Sequence, residues 1–139
     1  MGSKSRIVDN ILPIIQERLR DYNIKTYIEP FCGGANVIDK VQCDIKIASD
    51  NHKYLIEMFN NLNHIKNLPD FITKKHYSDV RNCFNKGLNI YPDWYIGAVG
   101  FLASYNGRFF DGGYAGIVHT KTGTERNYYD EARRNLLEQ

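Results

Sequence analysis

The run Tyr27-Ile28-Glu29-Pro30-Phe31-Cys32-Gly33-Gly34-Ala35-Asn36 constrains the fold of this chain more than any other stretch. A short apolar segment runs into two adjacent glycines, and Val37-Ile38 opens the next apolar segment, which predicts strand, turn and helix in that order. Such an order brings free backbone N–H groups to the edge of a sheet, where they can hold a ligand. A second predicted strand over 44–49 ends on Asp50. An acidic residue at that tip is where nucleotide-like ligands have a ribose diol held. The glycine pair also has a plain use, as a turn that needs positive φ. Its company argues for more: Ala35 keeps the following position small, Glu29 sets a carboxylate at the strand's C-terminal end, and Asp50 lies 16 residues beyond Gly34.

Around this run the periodicities give a helix over 5–19 with a kink or restart at Pro13, a strand over 24–28, and a short helix over 37–41. An amphipathic helix is expected over 53–65. The first part, residues 1–65, is therefore α-β-α-β-α, the pattern of a parallel sheet. Residues 66–139 differ: helices over 77–86, stopping at Gly87, and over 92–104, then a turn at Tyr105-Asn106-Gly107. The aromatic-flanked segment around Asp111-Gly112-Gly113 reads as a β-hairpin or an irregular loop, and 127–138 as a final polar helix.

Chemistry that the chain lacks narrows the ligand. A dinucleotide site asks for Gly-x-Gly-x-x-Gly, and no third glycine follows Gly34 at that spacing. A phosphate-binding P-loop asks for Gly-Lys-Ser/Thr, which is also missing. An adenosine-containing cofactor without a pyrophosphate, such as S-adenosylmethionine, fits better. Cys32, Cys43 and Cys83 form no Cys-x-x-Cys pair, and the four histidines form no ligand cluster, so no metal site is expected. The odd thiol count and the lack of a signal peptide suggest a reducing, cytoplasmic setting. No apolar run approaches the roughly 20 residues that span a bilayer. A formal charge of only +2 does not announce a nucleic-acid partner.

Four short motifs, in order along the chain, resemble the Dam-like, D12 class of DNA adenine-N6 methyltransferases. Glu29-Pro30-Phe31-Cys32-Gly33-Gly34-Ala35 is similar to that family's cofactor motif, Asp50-Asn51 to its acidic motif, Gly2-Ser3-Lys4 to its Gly-Gly-Lys element, and Tyr105-Asn106-Gly107-Arg108 to its Tyr-Asn-Gly segment. The resemblance implies an α/β, incomplete Rossmann-like methyltransferase fold. Residues 1–65 would be its cofactor part, and 66–139 a mostly helical insertion plus β-hairpin for target recognition. It implies S-adenosylmethionine as cofactor, with Lys4 pairing its methionyl carboxylate and Asp50 accepting ribose hydroxyls. Glu29, Phe31, Gly33, Gly34 and Ala35 would shape the turn around its methionine and adenosine parts. It implies double-stranded DNA as partner, with Tyr105, Asn106, Arg108, Lys121 and Arg126 as contact residues. Bland alternatives stand beside these roles: Asp50 can cap the helix near Lys53, Lys4 can be solvated, and the loop with Arg108 can be a solvated hairpin.

The sequence departs from the family in the residues that do the chemistry. Its prolines are Pro13, Pro30, Pro69 and Pro92, so the family's catalytic Asp-Pro-Pro-Tyr does not occur, and no catalytic residue is assigned. The expected function is that of a DNA adenine-N6 methyltransferase whose present chain is a truncated, inactive portion. A non-catalytic module binding S-adenosylmethionine and DNA is the alternative, and a plain α/β domain with a structural glycine turn is the third reading. A parallel sheet cut short exposes an edge and an apolar face, so self-association or a partner supplying the catalytic half is expected.

Overall fold

Helix α1 (Val8–Asp21) and two parallel strands, β1 (Thr26–Pro30) and β2 (Ile45–Ser49), form the first of two units into which the chain divides after Asn51. The structure, a computed structural model, describes residues 4–119 and 121–139. The strands pair in register from Thr26 with Ile45 to Pro30 with Ser49. Strand alternation then sends Tyr27 and Glu29 to one face and Ile28 to the other. On the covered face Val8 and Leu19 pack with Val37 and Val41, joined by Leu12, Ile15 and Tyr27. On the opposite face Ile28, Ile45 and Ile47 are exposed. Parallel sheets are normally covered on both faces, so this one is unusual in standing open.

Two expectations for this unit change. Pro13 does not restart the helix, because Asp9 and Pro13 are both exposed and the carbonyl that loses its helical donor can be hydrated. The segment expected as a helix over 37–41 is a single helical turn, with Asp39 N on Ala35 O and Val41 N on Val37 O. Too few apolar residues precede the next strand to repay a longer helix.

The second unit, His52–Gln139, is built on helix α5 (Asp93–Leu102). Every residue from Ile96 to Leu102 is buried, so α5 is apolar all round and needs neighbours on all sides. Helices α2 (Lys53–Asn60), α3 (Leu62–Lys66), α4 (Lys74–Asn85) and α6 (Tyr128–Leu137) supply them, with Met58, Ile65, Tyr77, Val80 and Tyr129 in the shared core. Gly97 sits where α2 crosses α5: a Cβ there would stand 2.1 Å from the Tyr54 carbonyl oxygen. The helix expected over 53–65 breaks at Asn61, whose side-chain amide donates to Glu57 O at 2.8 Å and competes with the helical ladder. Helix α4 begins at Lys74, earlier than periodicity suggests, because Thr73 caps it by accepting from His76 N. It ends at Gly87, whose φ of +65° closes the last turn. Because α2 and α3 bury Leu55, Met58 and Ile65 in this core, the boundary between units falls after Asn51, ahead of the segment reaching 65.

The glycine pair at 112–113 is not the hairpin turn. The antiparallel hairpin lies beyond it, β3 (Ile117–His119) against β4 (Glu125–Asn127). Gly112 instead lets its loop press on Tyr105, since a Cβ would meet the Tyr105 carbonyl oxygen at 2.3 Å. Helix α6 is fastened by Arg133, whose guanidinium donates to the Leu68 carbonyl at 2.8 Å and pairs with Asp70 at 2.6 Å and Asp130 at 2.9 Å.

Candidate functional site

The loop between β1 and the helical turn at 36–40 is held by two carboxylates. Glu29, only 5% exposed, uses Oε2 to accept from Ile38 N at 2.8 Å and Oε1 to accept from Lys4 Nζ at 2.9 Å. Asp50, at the end of β2, accepts from Gly33 N through Oδ2 at 3.0 Å. The parallel register puts both strand ends side by side, so one carboxylate comes from each strand. Lys4 also donates to the Phe31 carbonyl at 2.9 Å. Gly2 and Ser3 of the N-terminal motif lie outside the described residues.

Three consecutive kinks shape the loop. Phe31, Gly33 and Ala35 have φ of +60°, +54° and +57°, the left-handed region that favours glycine. The positive φ expected of the glycine pair thus falls on Gly33 alone within the pair, and also on Phe31 and Ala35 outside it. Gly34 instead offers its carbonyl to Asn36 Nδ2 at 3.0 Å. Phe31 turns its ring outward, 71% exposed, while Cys32 turns in and is 2% exposed. Burial, with the Asp50 and Glu29 carboxylates nearby, pushes the Cys32 thiol up from its ordinary range. A thiol held protonated in this way is a packing residue and not a nucleophile.

Ala35 carries strain that a glycine would not. Ala35→Gly relieves a left-handed cost of about 1–2 kcal/mol and adds roughly 0.4–1 kcal/mol of unfolded-state freedom, so relief wins by about 0.5 kcal/mol. Ala35→Val puts a β-branched side chain in the same conformation and is expected to cost about 2 kcal/mol. Urea denaturation of the two variants should therefore move in opposite directions; a shared direction would contradict the left-handed geometry.

All seven cofactor-loop candidates, Lys4, Glu29, Phe31, Gly33, Gly34, Ala35 and Asp50, fall in the first unit. The five expected to meet DNA fall in the second. Tyr105 and Asn106 are exposed, and Asn106 has a φ of +56°. Arg108 is exposed too, and Lys121 is exposed on the hairpin loop. Arg126 is already engaged, bidentate on Glu131 at 2.8 Å and over the Tyr128 ring at 4.5 Å from its centroid. The hydrogen bond to Glu131 raises the Arg126 pKa further. Tyr128 also meets the Tyr105 ring edge-on at 5.8 Å, so it joins Tyr105 to Arg126. Tyr128 was not singled out from the sequence; it stands directly after Asn127, at the start of the segment read as the final helix. No group of three or more His, Cys, Asp or Glu suited to a metal ion occurs among the described residues. No described helix is long and apolar enough to cross a membrane.

Compared with known proteins, residues 1–95 match the model of the D12 class N6 adenine-specific DNA methyltransferases. The match contains the whole carboxylate-held loop and ends before Tyr105. No curated protein and no solved structure matches the chain.

Proposed function

Since the chain belongs to the D12 class N6 adenine-specific DNA methyltransferase family, we propose that its Glu29–Asp50 loop is the methyl-donor half of a site directed at adenine in DNA. The donor in this reading is S-adenosylmethionine, which supplies a sulfonium-bound methyl group when held. One observation carries the reading: two carboxylates at the C-terminal ends of paired parallel strands fix the loop's backbone, Glu29 through Ile38 N and Asp50 through Gly33 N.

The residues fit such a ligand. Asp50, at the end of β2 and bonded to Gly33 N, puts a carboxylate acceptor of the kind that ribose hydroxyls donate to beside the loop. The exposed Phe31 ring offers a flat face for an adenine, and Gly33, Gly34 and Ala35 bring the backbone close to the methionyl part. In this proposal Tyr105, Asn106, Arg108 and Lys121 face DNA, with Arg126 reaching it only by exchanging Glu131 for a phosphate. Arg and Lys would supply phosphate pairing, and Tyr105 and Asn106 the groove contacts.

What this chain lacks limits the activity proposed for it alone. The lone pair of the adenine amino group is delocalised into the ring, so the amine needs acceptors on its hydrogens and a pocket to receive the flipped base. No two prolines are adjacent, so the Asp-Pro-Pro-Tyr that would supply these is not in the chain. The same observation favours the second reading, a module that binds donor and DNA without catalysis.

Calorimetric titration with S-adenosylmethionine is expected to give saturable binding, and its absence would remove the loop's assignment. In a restriction-protection assay the purified chain should leave adenine unmethylated; protected DNA would overturn the inactive reading. Arg108→Ala is expected to weaken duplex binding roughly three- to tenfold at moderate salt, and unchanged affinity would take Arg108 out of the interface.

A further inference from the structure

We infer that Lys4 is a positioning residue of the loop, whose ammonium clamps the Phe31–Cys32 peptide and so aims the Phe31 ring, and not the partner of the cofactor's carboxylate. The inference deepens the donor-loop reading above and rests on it for the ligand.

Phe31 poses the problem that Lys4 solves. Its φ of +60° is rare for a bulky residue, and its ring is 71% exposed, so packing of the side chain does not hold that conformation. The restraint comes from the backbone on both sides of one peptide unit. The Phe31 carbonyl accepts from Lys4 Nζ at 2.9 Å, and the adjoining Cys32 N–H donates to the Ser49 carbonyl at 2.9 Å. With its two ends tied to different elements, the peptide plane is fixed, and with it the direction in which the Phe31 Cα–Cβ bond leaves the loop.

The ammonium is itself fixed. Its second bond goes to Oε1 of the buried Glu29, and the other oxygen of that carboxylate is committed to Ile38 N. Lys4 thereby connects the approach to α1 with the entry to the loop directly, and with its far end at Ile38 through Glu29. Its charge is balanced at 2.9 Å by Glu29, which leaves little net attraction for a further carboxylate. A charge-assisted donor with two anchored acceptors serves geometry better than it serves a mobile ligand.

Two measurements on the full chain test this. Hydrogen exchange of the Cys32 amide needs no ligand. Lys4→Met is expected to speed it about tenfold while α1 amides keep their protection, and Lys4→Arg should restore most of it. Unchanged Cys32 protection in Lys4→Met overturns the clamp. The second measurement compares S-adenosylmethionine with 5′-methylthioadenosine, which has the adenosine but no carboxylate. A positioning role predicts that Lys4→Met weakens both by the same factor, about tenfold, again with rescue by arginine. A loss confined to the carboxylate-bearing ligand overturns the proposal in favour of direct contact, and no loss with either overturns it in favour of a solvated lysine. If the unaltered chain binds neither compound while Lys4→Met still frees the Cys32 amide, the clamp stands and the donor-loop reading falls.

Discussion

Gly97→Ala is expected to destabilise the second unit by about 2 kcal/mol, against the direction that helix propensity predicts. Propensity favours alanine over glycine in a helix by about 1 kcal/mol. The opposing effect is steric: the new methyl would stand 2.1 Å from the Tyr54 carbonyl oxygen and 3.2 Å from Met58 Cβ. The near atom is backbone, so no rotamer change relieves the contact and α2 must move off α5. Overpacking of this kind costs about 3 kcal/mol, which outweighs propensity. Gly87→Ala is the control, because a Cβ there meets nothing within 4 Å and only the φ of +65° opposes it, worth about 1 kcal/mol. Thermal melting should rank the chain above Gly87→Ala and Gly87→Ala above Gly97→Ala. A Gly97→Ala chain that melts at or above the original temperature would mean that α2 and α5 are not in contact at Tyr54.

Glu29→Ala is expected to have the largest effect on ligand binding. It removes the acceptor of the buried Ile38 N–H and the partner of Lys4 together, freeing the loop at both ends. Leaving a buried donor unsatisfied costs about 1–3 kcal/mol, and bonds to a charged acceptor lie at the upper end of that range. Taken at about 2.7 kcal/mol, the loss corresponds to roughly a hundredfold weaker S-adenosylmethionine binding. Glu29→Gln keeps one acceptor oxygen and should fall between the two. The partners that Glu29→Ala loses, Lys4 and Ile38, both lie in the first unit. Affinity for the donor within about threefold of the original would show that Glu29 does not organise the loop.

Much of the loop was legible in the chain itself. A strand running into Gly33-Gly34, with a second strand ending on Asp50, requires a turn with left-handed backbone and an acid at a sheet edge. The buried helix α5 was legible as well, since Ala98, Val99, Phe101 and Leu102 leave it no polar face. Around Gly112-Gly113 the sequence left a β-hairpin and an irregular loop open, and the structure has the irregular loop, with Gly112 pressed on the Tyr105 carbonyl and the hairpin further on. The break at Asn61 was hidden, because apolar periodicity continues through it to Ile65 while a side-chain bond to Glu57 O ends the helix.

The sequence by itself determined that this protein makes two parallel strands, a glycine turn between them and an apolar helix, because periodicity and the φ preferences of glycine are local properties. Tertiary structure alone decided what the charged residues do. Glu29 and Asp50 hold one loop because β1 and β2 pair in parallel and in register, and Lys4 reaches that loop across 25 residues because α1 lies on the sheet's covered face. Partners so far apart in the chain are fixed by register and packing. The opening stretch therefore names the turn, and the fold assigns its acids to holding it.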